Sequence, residues 1–509
     1  MIYHLDVSFD KSLNGLDHAA ITRFNLFKKH NIASRIITAK YNTDHNNIKI
    51  HGNIHGLGEY DIENMYDYFQ DTCHIEEKPM NLADIFPYDV YKVIKISNST
   101  DYMIYNRGIY TAIVHCLDDK TVSYINYFDS KQKKVKRCFY DCRGFLSSER
   151  ILGQNQFVWM EIFYNRNGEK TIEKYYQPEN EKSVLSMIRV KDKQKKWNHF
   201  YSEDELISFY LDSVVDEKND LIIIDKNLLY DESVIKMNKR VKTISVLHSS
   251  HLRGKDHLKS RIKICYEKIF KNIERFDAVV ASTQSQTQDI IERFDNAEKF
   301  FGIPVGFRKT KRQILLTNKF KLITVARLVR EKRLEHVILA FSKVVDRIPE
   351  AELHLFGVGN KETELRKLVS DLNLNNSVKF RGYLSDLSNE YETSKLFLLS
   401  SLEEGFCQAL MEAISHGIPA VSYDIKYGPS DLIENEKSGF LTSEDPEKLA
   451  DKIVFLLSDP KLYEEFSNNA FAKSLEFDEE KIFEKWINIF KKINYKNIML
   501  LNDTETISP

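Results

Sequence analysis

Two stretches of the chain alternate short apolar runs with helical spacing, and the stretch between them does not. Ile2 to Val7 is a short apolar run, Leu16 to His30 places Ala19, Ile21, Phe24, Leu26 and Phe27 at helical spacing, and Ile32 to Thr38 is again strand-like. The same alternation resumes near residue 205, with Leu221–Asp225, Thr243–Leu247 and Asp277–Ala281 as strands and a helix starting at Gln284 behind a Ser-Thr cap. It continues through Lys321–Ala326, Glu352–Gly359 as strand plus glycine turn, Val378–Tyr383 and Leu396–Ser400, with a first strand expected from about Lys319. An amphipathic helix is expected over Phe477–Ile493, and a frayed tail after Leu501. Strands that alternate with helices predict a parallel sheet covered on both faces.

Between about 76 and 204 the period becomes two. Tyr102–Asn106, Ile109–Cys116, Val122–Phe128, Val135–Tyr140, Phe157–Tyr164 and Thr171–Tyr176 read as strands, rich in Tyr and Phe and separated by turn residues. This is an antiparallel meander set into an α/β frame. The domain expectation is therefore 1–75 with 205–305 as a first Rossmann-like domain, 76–204 as an inserted β domain, 306–480 as a second Rossmann-like domain, and 481–498 as a helix returning across domains. Two basic runs fall in the insertion, Lys131–Arg137 and Lys191–Lys196. They read as solvated hairpin loops or as an electrostatic track for a polyanionic acceptor, with Lys133, Lys134 and Lys136 as its candidates.

Length and composition add bounds. The 509 residues exceed one core, and the net charge of -2 gives no global attraction to nucleic acid or an anionic membrane. The start of the chain has no secretory pattern, and no apolar run approaches a bilayer span, so a cytoplasmic place is expected, with the inner face of the membrane as the alternative. The six cysteines show no CxxC pair and are expected as free thiols.

The candidate chemistry centres on Ser400–Glu412, SSLEEGFCQALME. An apolar strand precedes it and a run of helix formers follows, so Glu403–Phe406 is a strand-to-helix turn. Gly405 would let the backbone approach a ligand closely, and the new helix start is an anion site. Glu404 sits in the turn and Glu412 about two turns into the helix. Carboxylates beside a phosphate site fit if they accept from sugar or ribose hydroxyls, which suggests a nucleotide-sugar. Arg327 and Lys332, in A-R-L-V-R-E-K after another strand, would face a departing diphosphate. Gly15 and Gly359 stand at glycine turns after strands. His248 and His251 end a strand, but HxxH has no third ligand nearby and no DxD pair is present, so neither a catalytic metal nor another cofactor is expected.

Glu404-x7-Glu412 in its GF-x5-E-A setting, with Arg327-x4-Lys332, Gly359, Gly382 and Gly417-Ile-Pro-Ala in order, resembles the signature of the retaining GT-B glycosyltransferases of the large fourth family. The resemblance covers nearly the whole chain. It implies that Glu404 holds sugar hydroxyls, that Glu412 holds the ribose, that Gly405, Phe406 and Cys407 meet sugar or diphosphate through their backbone, and that Tyr383 frames the base. It also implies a histidine over the donor sugar, His251 by register and His248 as second choice, and same-face attack without an enzyme nucleophile.

A GT-B chain with a Tyr-rich β insertion in its first domain is similar to two bacterial groups, the adhesin serine O-glycosyltransferases and the wall teichoic acid α-glycosyltransferases. The opening Asn14–Ala19 lies closer to the adhesin group. The resemblance thus implies transfer of GlcNAc or glucose from a UDP-sugar to serine, or to a serine-linked sugar. α-Glycosylation of a polyol phosphate polymer is the alternative, and a non-catalytic acceptor-binding subunit is a third reading. A homo-oligomer or a sister subunit is expected through the insertion, and no nucleic-acid partner. If the insertion holds the acceptor, replacing Lys133, Lys134 and Lys136 with Ser weakens transfer to polymeric acceptors more than donor hydrolysis; equal loss in both assays would refute the track.

Overall fold

The computed structural model describes residues 1–6, 15–43, 56–73, 78–153, 155–307 and 320–495. Asn14, Lys319 and the tail after Leu501 lie outside them. The chain divides into two compact units, one of Met1–Asp17 with Asn31–Val241, the other of His18–His30 with the residues from Lys242 onward.

In the first unit, strands Leu221–Ile224, Ile2–Asp6, Ser34–Thr38 and Ile62–Asn64 lie parallel in that order. Leu221 to Ile224 are all fully buried, as expected of a parallel strand covered on both faces. Helix Glu203–Val214 is capped by the Ser202 hydroxyl, which accepts from the Glu205 N–H at 3.2 Å, and carries three acids in its first turn.

The same unit holds a ten-stranded antiparallel sheet running in chain order from Tyr91–Lys95 to Trp197–Phe200. All six strands expected here are present. Four more join them: Tyr91–Lys95, Phe145–Leu152, Lys182–Lys191 and Trp197–Phe200. Phe145–Leu152 and Lys182–Lys191 carry charges or serines on half-exposed positions, so their apolar alternation is diluted in the sequence. Their ladder bonds come from neighbours rather than from their own propensity. Leu82 and Phe86 pack with Ile104, Ala112, Val114 and Ile125 to form an apolar cluster on this sheet.

Polar contacts fix the sheet to the α/β part. Buried Arg143 donates to Asp67 at 2.6 Å, to both Asp141 oxygens at 2.7 and 2.8 Å, and to the Thr72 carbonyl at 2.8 Å. Gln70 donates to the carbonyls of Ser147 and Tyr164. Lys174 donates to Tyr66 at 2.7 Å and pairs with Glu203.

In the second unit, strands Lys242–Leu247, Ala278–Ala281 and Phe300–Gly302 run parallel in that order. A six-stranded parallel sheet follows in the order Val378–Gly382, Glu352–Phe356, Lys321–Val325, Leu396–Leu399, Ala420–Tyr423 and Gly439–Thr442. Thr283 caps helix Gln284–Arg293, accepting from the Gln286 N–H at 3.1 Å. Within this unit the loops of 242–306 are bonded to those of 320–495: Lys263 pairs with Glu403, Lys255 with Glu444, and Lys426 with Asp289.

Residues 18–30 join this unit through helix Glu479–Lys492. Phe27 packs edge-on against Trp486 and Phe490 at 5.7 and 5.5 Å, and Lys29 pairs with Glu479 at 2.7 Å.

The Arg143 network predicts a large stability effect. Arg143→Met leaves Asp67 and Asp141 buried without their cation and should cost about 3–5 kcal/mol. Thermal and urea unfolding of the variant measures it; a loss within error of zero would show that the network does not anchor the sheet.

Candidate active site

Strands Lys321–Val325 and Leu396–Leu399 are parallel neighbours, so the loops leaving their carboxyl ends emerge side by side. The first loop carries Arg327 to Arg333 and the second Ser400 to Cys407. Arg333, at φ 45°, is the joint between them. Its guanidinium donates to the Ser400 carbonyl at 2.8 Å, to the Ser401 carbonyl at 2.9 Å and to Glu444 at 2.7 Å, and lies 5.0 Å from the Tyr423 ring centre. The Ser400 hydroxyl returns bonds to the carbonyls of Lys332 and Arg333 at 2.9 and 2.8 Å.

This joint brings Lys332 onto Glu404 at 2.6 Å, with the Ser401 hydroxyl donating to the same carboxylate oxygen, also at 2.6 Å. Burial disfavours the Lys332 ammonium, but the Glu404 charge and hydrogen bond outweigh it and hold the lysine above its ordinary pKa. Arg327 is exposed, makes no ion pair or side-chain hydrogen bond among the described residues, and is close enough for its charge to act against that of Lys332.

Gly405 departs from its expected reason. A Cβ there would stand 2.4 Å from the His248 carbonyl oxygen and 2.8 Å from the Ser249 Cα. What the bare backbone approaches is the His248–Ser249 segment, and the same contact places His248 beside the corner. Gly359 is similar, since its Cβ would stand 2.2 Å from the Leu328 carbonyl oxygen. Phe406 is buried in an apolar cluster, 5.6 Å from Phe477, so only its backbone is available to a ligand. Cys407 caps helix Gln408–Ser415 in the left-handed region at φ 68°, and burial followed by the Glu404 charge pushes its thiol far up. The helix start itself offers N–H groups to an anion.

Glu412 is exposed on that helix and accepts from the buried Tyr391 hydroxyl at 3.1 Å. Tyr383 is 42% exposed, with its hydroxyl 3.3 Å from His18 Nε2. Gly15 is the exposed first residue of helix Gly15–Lys29, Lys133 lies in the hairpin turn before strand Lys134–Asp141, and Lys134 and Lys136 lie in that strand; these four belong to the first unit. Lys136 is already engaged by Glu149 at 2.7 Å and sits over the Tyr127 ring, whereas Lys133 is exposed.

The choice between the two histidines requires a correction. His251 was expected over the donor sugar, yet it is 0% exposed. Its ring stacks 6.1 Å from Tyr427, its Nδ1 lies 3.5 Å from the Gln286 amide and its carbonyl accepts from the Lys263 N–H. Burial, then the Arg293 charge, lower its pKa to about 3, so it is a neutral ring inside the fold. Half-buried His248, against Gly405, is the histidine that the fold puts at the corner.

Pattern reading missed Arg333, which is one of several cations in a basic turn, and Tyr391, which is remote in sequence. Ser401 carries a signal that could have found it: Ser-x-x-Glu is the spacing of a side chain that bonds three residues on. His257, Asp289 and Glu292 have ligand atoms within 4.8 Å of one another. Asp289 already accepts from Lys426 at 2.7 Å and Tyr427 at 2.6 Å, so the group is tied by protein bonds.

Residues 307–473 match the family model of glycosyl transferases group 1. The segment that carries the Lys332–Glu404 corner is a group 1 glycosyltransferase domain. The chain is 28% identical over 401 residues to a poly(glycerol-phosphate) alpha-glucosyltransferase of Bacillus subtilis, covering 74% of this chain and 57% of that relative. It is 24% identical to the GtfA subunit of a UDP-N-acetylglucosamine–peptide N-acetylglucosaminyltransferase of Streptococcus agalactiae, over 97% of this chain and 99% of the relative. It is 25% identical to a poly(ribitol-phosphate) alpha-N-acetylglucosaminyltransferase of Staphylococcus aureus, over 96% and 98%.

Among solved structures, S. aureus TarM with UDP and alpha-GlcNAc-glycerol superposes at TM-score 0.82 and 22% identity, over 96% of this chain and 99% of that one. The pneumococcal O-GlcNAc transferase GtfA with UDP and GlcNAc does so at 0.83 and 20%, over 97% and 99%. The chain thus has the GT-B fold of these structures, with an antiparallel sheet inserted among its α/β elements.

The buried neutral His251 makes stability depend on pH. Its folded pKa lies below the ordinary value of about 6.5, so the unfolded chain binds the extra proton between pH 6.5 and about 3. Stability should fall as the pH drops through that window, with a contribution approaching about 1.4 kcal/mol per unit. His251→Gln should flatten the slope relative to the native chain; urea melts from pH 7 to pH 5 compare them, and an unchanged slope would remove His251 as the source.

Proposed function

We propose that this chain is a metal-independent, retaining UDP-sugar-dependent hexosyltransferase. It moves GlcNAc or glucose onto serine, or onto a sugar already on serine, of a bacterial surface adhesin. The observation that carries the reading is the corner at which Lys332, Glu404, the start of helix Gln408–Ser415 and the free guanidinium of Arg327 lie together. A leaving nucleoside diphosphate gains negative charge as the sugar departs. The cations of Arg327 and Lys332 and the helix N–H groups oppose that charge where it develops, which favours the transition state over the ground state.

Lys332 is neutralised by Glu404. A diphosphate that takes the ammonium leaves Glu404 free to accept from sugar hydroxyls, so one ion pair prepares both halves of the donor site. Ser401 holds the carboxylate in place during the exchange. Glu412, oriented by Tyr391, is available for ribose hydroxyls. No enzyme nucleophile is needed: in same-face attack the departing phosphate oxygen takes the acceptor proton.

The adhesin acceptor is supported by the near full-length match to the GtfA subunit of Streptococcus agalactiae. A sister subunit is supported by the likeness in fold to the chain of a GtfA/B complex, at TM-score 0.81. A second acceptor, a polyol phosphate polymer, is favoured by the relatives named for poly(glycerol-phosphate) and poly(ribitol-phosphate). A non-catalytic holding subunit is disfavoured because Arg327, Lys332, Glu404 and Glu412 are all present. No helix among the described residues is long and apolar enough to cross a membrane; a cytoplasmic place is part of the proposal.

Labelled UDP-GlcNAc and UDP-glucose, offered side by side with a serine-rich adhesin peptide and with purified teichoic acid, test the reading. Label on the peptide is the expected outcome and names the sugar; label on the polymer alone moves the chain to the second acceptor. Glu404→Ala and Arg327→Ala should each slow donor turnover by about 10²–10³-fold. Native-like turnover in both variants would overturn the assignment of the corner.

A further inference from the structure

Immediately before Lys263, whose partner Glu403 adjoins Glu404, the chain forms a small antiparallel hairpin of Leu252–Arg253 and Arg261–Ile262. Its sequence from His251 to Lys263 carries Arg253, Lys255, His257, Lys259, Arg261 and Lys263 against a single acid, Asp256. The hairpin is held firmly. Arg293 donates to the carbonyls of His257 and Ser260 at 2.9 and 2.7 Å, and Leu252 is buried. Three of its basic groups already have acids: Lys255 pairs with Glu444, Lys263 with Glu403, and His257 with Glu292 at 2.9 Å.

Arg253 and Arg261 have none. They are directly opposite in the ladder, so their side chains leave the same face of the ribbon, and both are exposed. Neither makes an ion pair or a side-chain hydrogen bond among the described residues. Like charges directly opposite on two strands destabilise the pair. Here they stand on a ribbon only two residues long per strand, beside exposed Lys259. The arrangement is unfavourable by itself and becomes favourable with an anion between the guanidinium groups. Two guanidinium forks facing one way suit the tetrahedral oxygens of a phosphate better than they suit a diffuse charge.

We propose that Arg253 and Arg261 form a phosphodiester-binding clamp that holds an anionic polymer chain next to the transfer corner. Its ends are tied to that corner through Lys263–Glu403 and through Lys255–Glu444, the latter carboxylate also binding Arg333. A repeat seated on the clamp therefore keeps the chain near the donor site between transfers. The role of the clamp rests on reading the corner as a transferase site and on the second acceptor, a polyol phosphate polymer; its ligand chemistry rests on neither.

The test is direct binding of fluorescently labelled poly(glycerol phosphate) to the full chain, across a range of salt concentrations, without donor. The native chain should bind with a marked salt dependence. The double variant Arg253→Gln/Arg261→Gln should bind about 10-fold more weakly, with the log–log salt slope shallower by about 2. Arg253→Lys/Arg261→Lys keeps the charge without the forks and should fall between the two. UDP affinity, measured on the same samples, should be unchanged, and the melting temperature of the Gln variant should not fall.

Polymer binding equal in native chain and double variant would overturn the clamp, as would no polymer binding by the native chain. An equal loss for an acidic serine–aspartate peptide, with the same salt slope, would overturn the phosphate assignment. Loss of polymer binding in the variant, with no UDP binding in either chain, would uphold the clamp and defeat the transferase reading instead.

Discussion

The ion pair between Lys332 and Glu404 is the constraint on which the rest of the site depends. At 2.6 Å and largely buried, it links two loops that leave neighbouring parallel strands. A buried pair of this kind gives little net stability, because desolvation offsets the attraction, but losing either partner leaves a stranded charge. Its value is positional. Arg333 closes the same two loops from behind by donating to the carbonyls of Ser400 and Ser401, and Ser401 fixes the carboxylate from the side. The backbone of the second loop is thereby fixed before any substrate arrives, which is the condition for electrostatic preorganisation.

Glycine enters this frame as a packing residue. Gly405 is bare because the His248 carbonyl occupies the place of its Cβ. This contact couples the loop after strand Lys242–Leu247 to the loop after strand Leu396–Leu399, so the histidine and the glutamate corner are fixed by one approach of two backbones. A substituent at 405 would displace His248 and the helix start together.

Much of this was legible in the sequence. Apolar runs such as Leu221–Ile224 and Leu396–Leu399 announce buried parallel strands because both of their faces are covered, and the period-two stretch announces the antiparallel sheet. The pairing of Arg327-x4-Lys332 with Glu404 across 72 residues came from resemblance rather than from periodicity, and the Lys332–Glu404 contact is what joins those two motifs. Strands Phe145–Leu152 and Lys182–Lys191 stayed hidden because their pattern is broken by charges that pair across the ladder, Glu149 with Lys136 and Arg189 with Glu173. His251 is favoured by register, yet the structure encloses it. Two histidines three residues apart after one strand have the same local signal, and only the packing of Tyr427 and Gln286 decides which one is enclosed.

The charge pattern completes the argument. A net charge of -2 over 509 residues suggests no preference for any polyanion. Around the corner that neutrality comes from individual pairs: Lys332 with Glu404, Lys263 with Glu403, and Arg333 and Lys255 with Glu444. Each of these cations is spent on holding a loop. Arg327, Arg253 and Arg261 remain exposed without an acid. Arg330 and Lys259, also exposed, have no acid among the described residues either; what sets the two hairpin arginines apart is that they stand directly opposite each other in the ladder. Arg327 stands close enough to Lys332 for the two charges to oppose each other, and the two hairpin arginines stand on the element leading into the corner. Because surface fields are screened within about 8–10 Å at ordinary salt, it is this local remainder, and not the total, that a charged ligand meets.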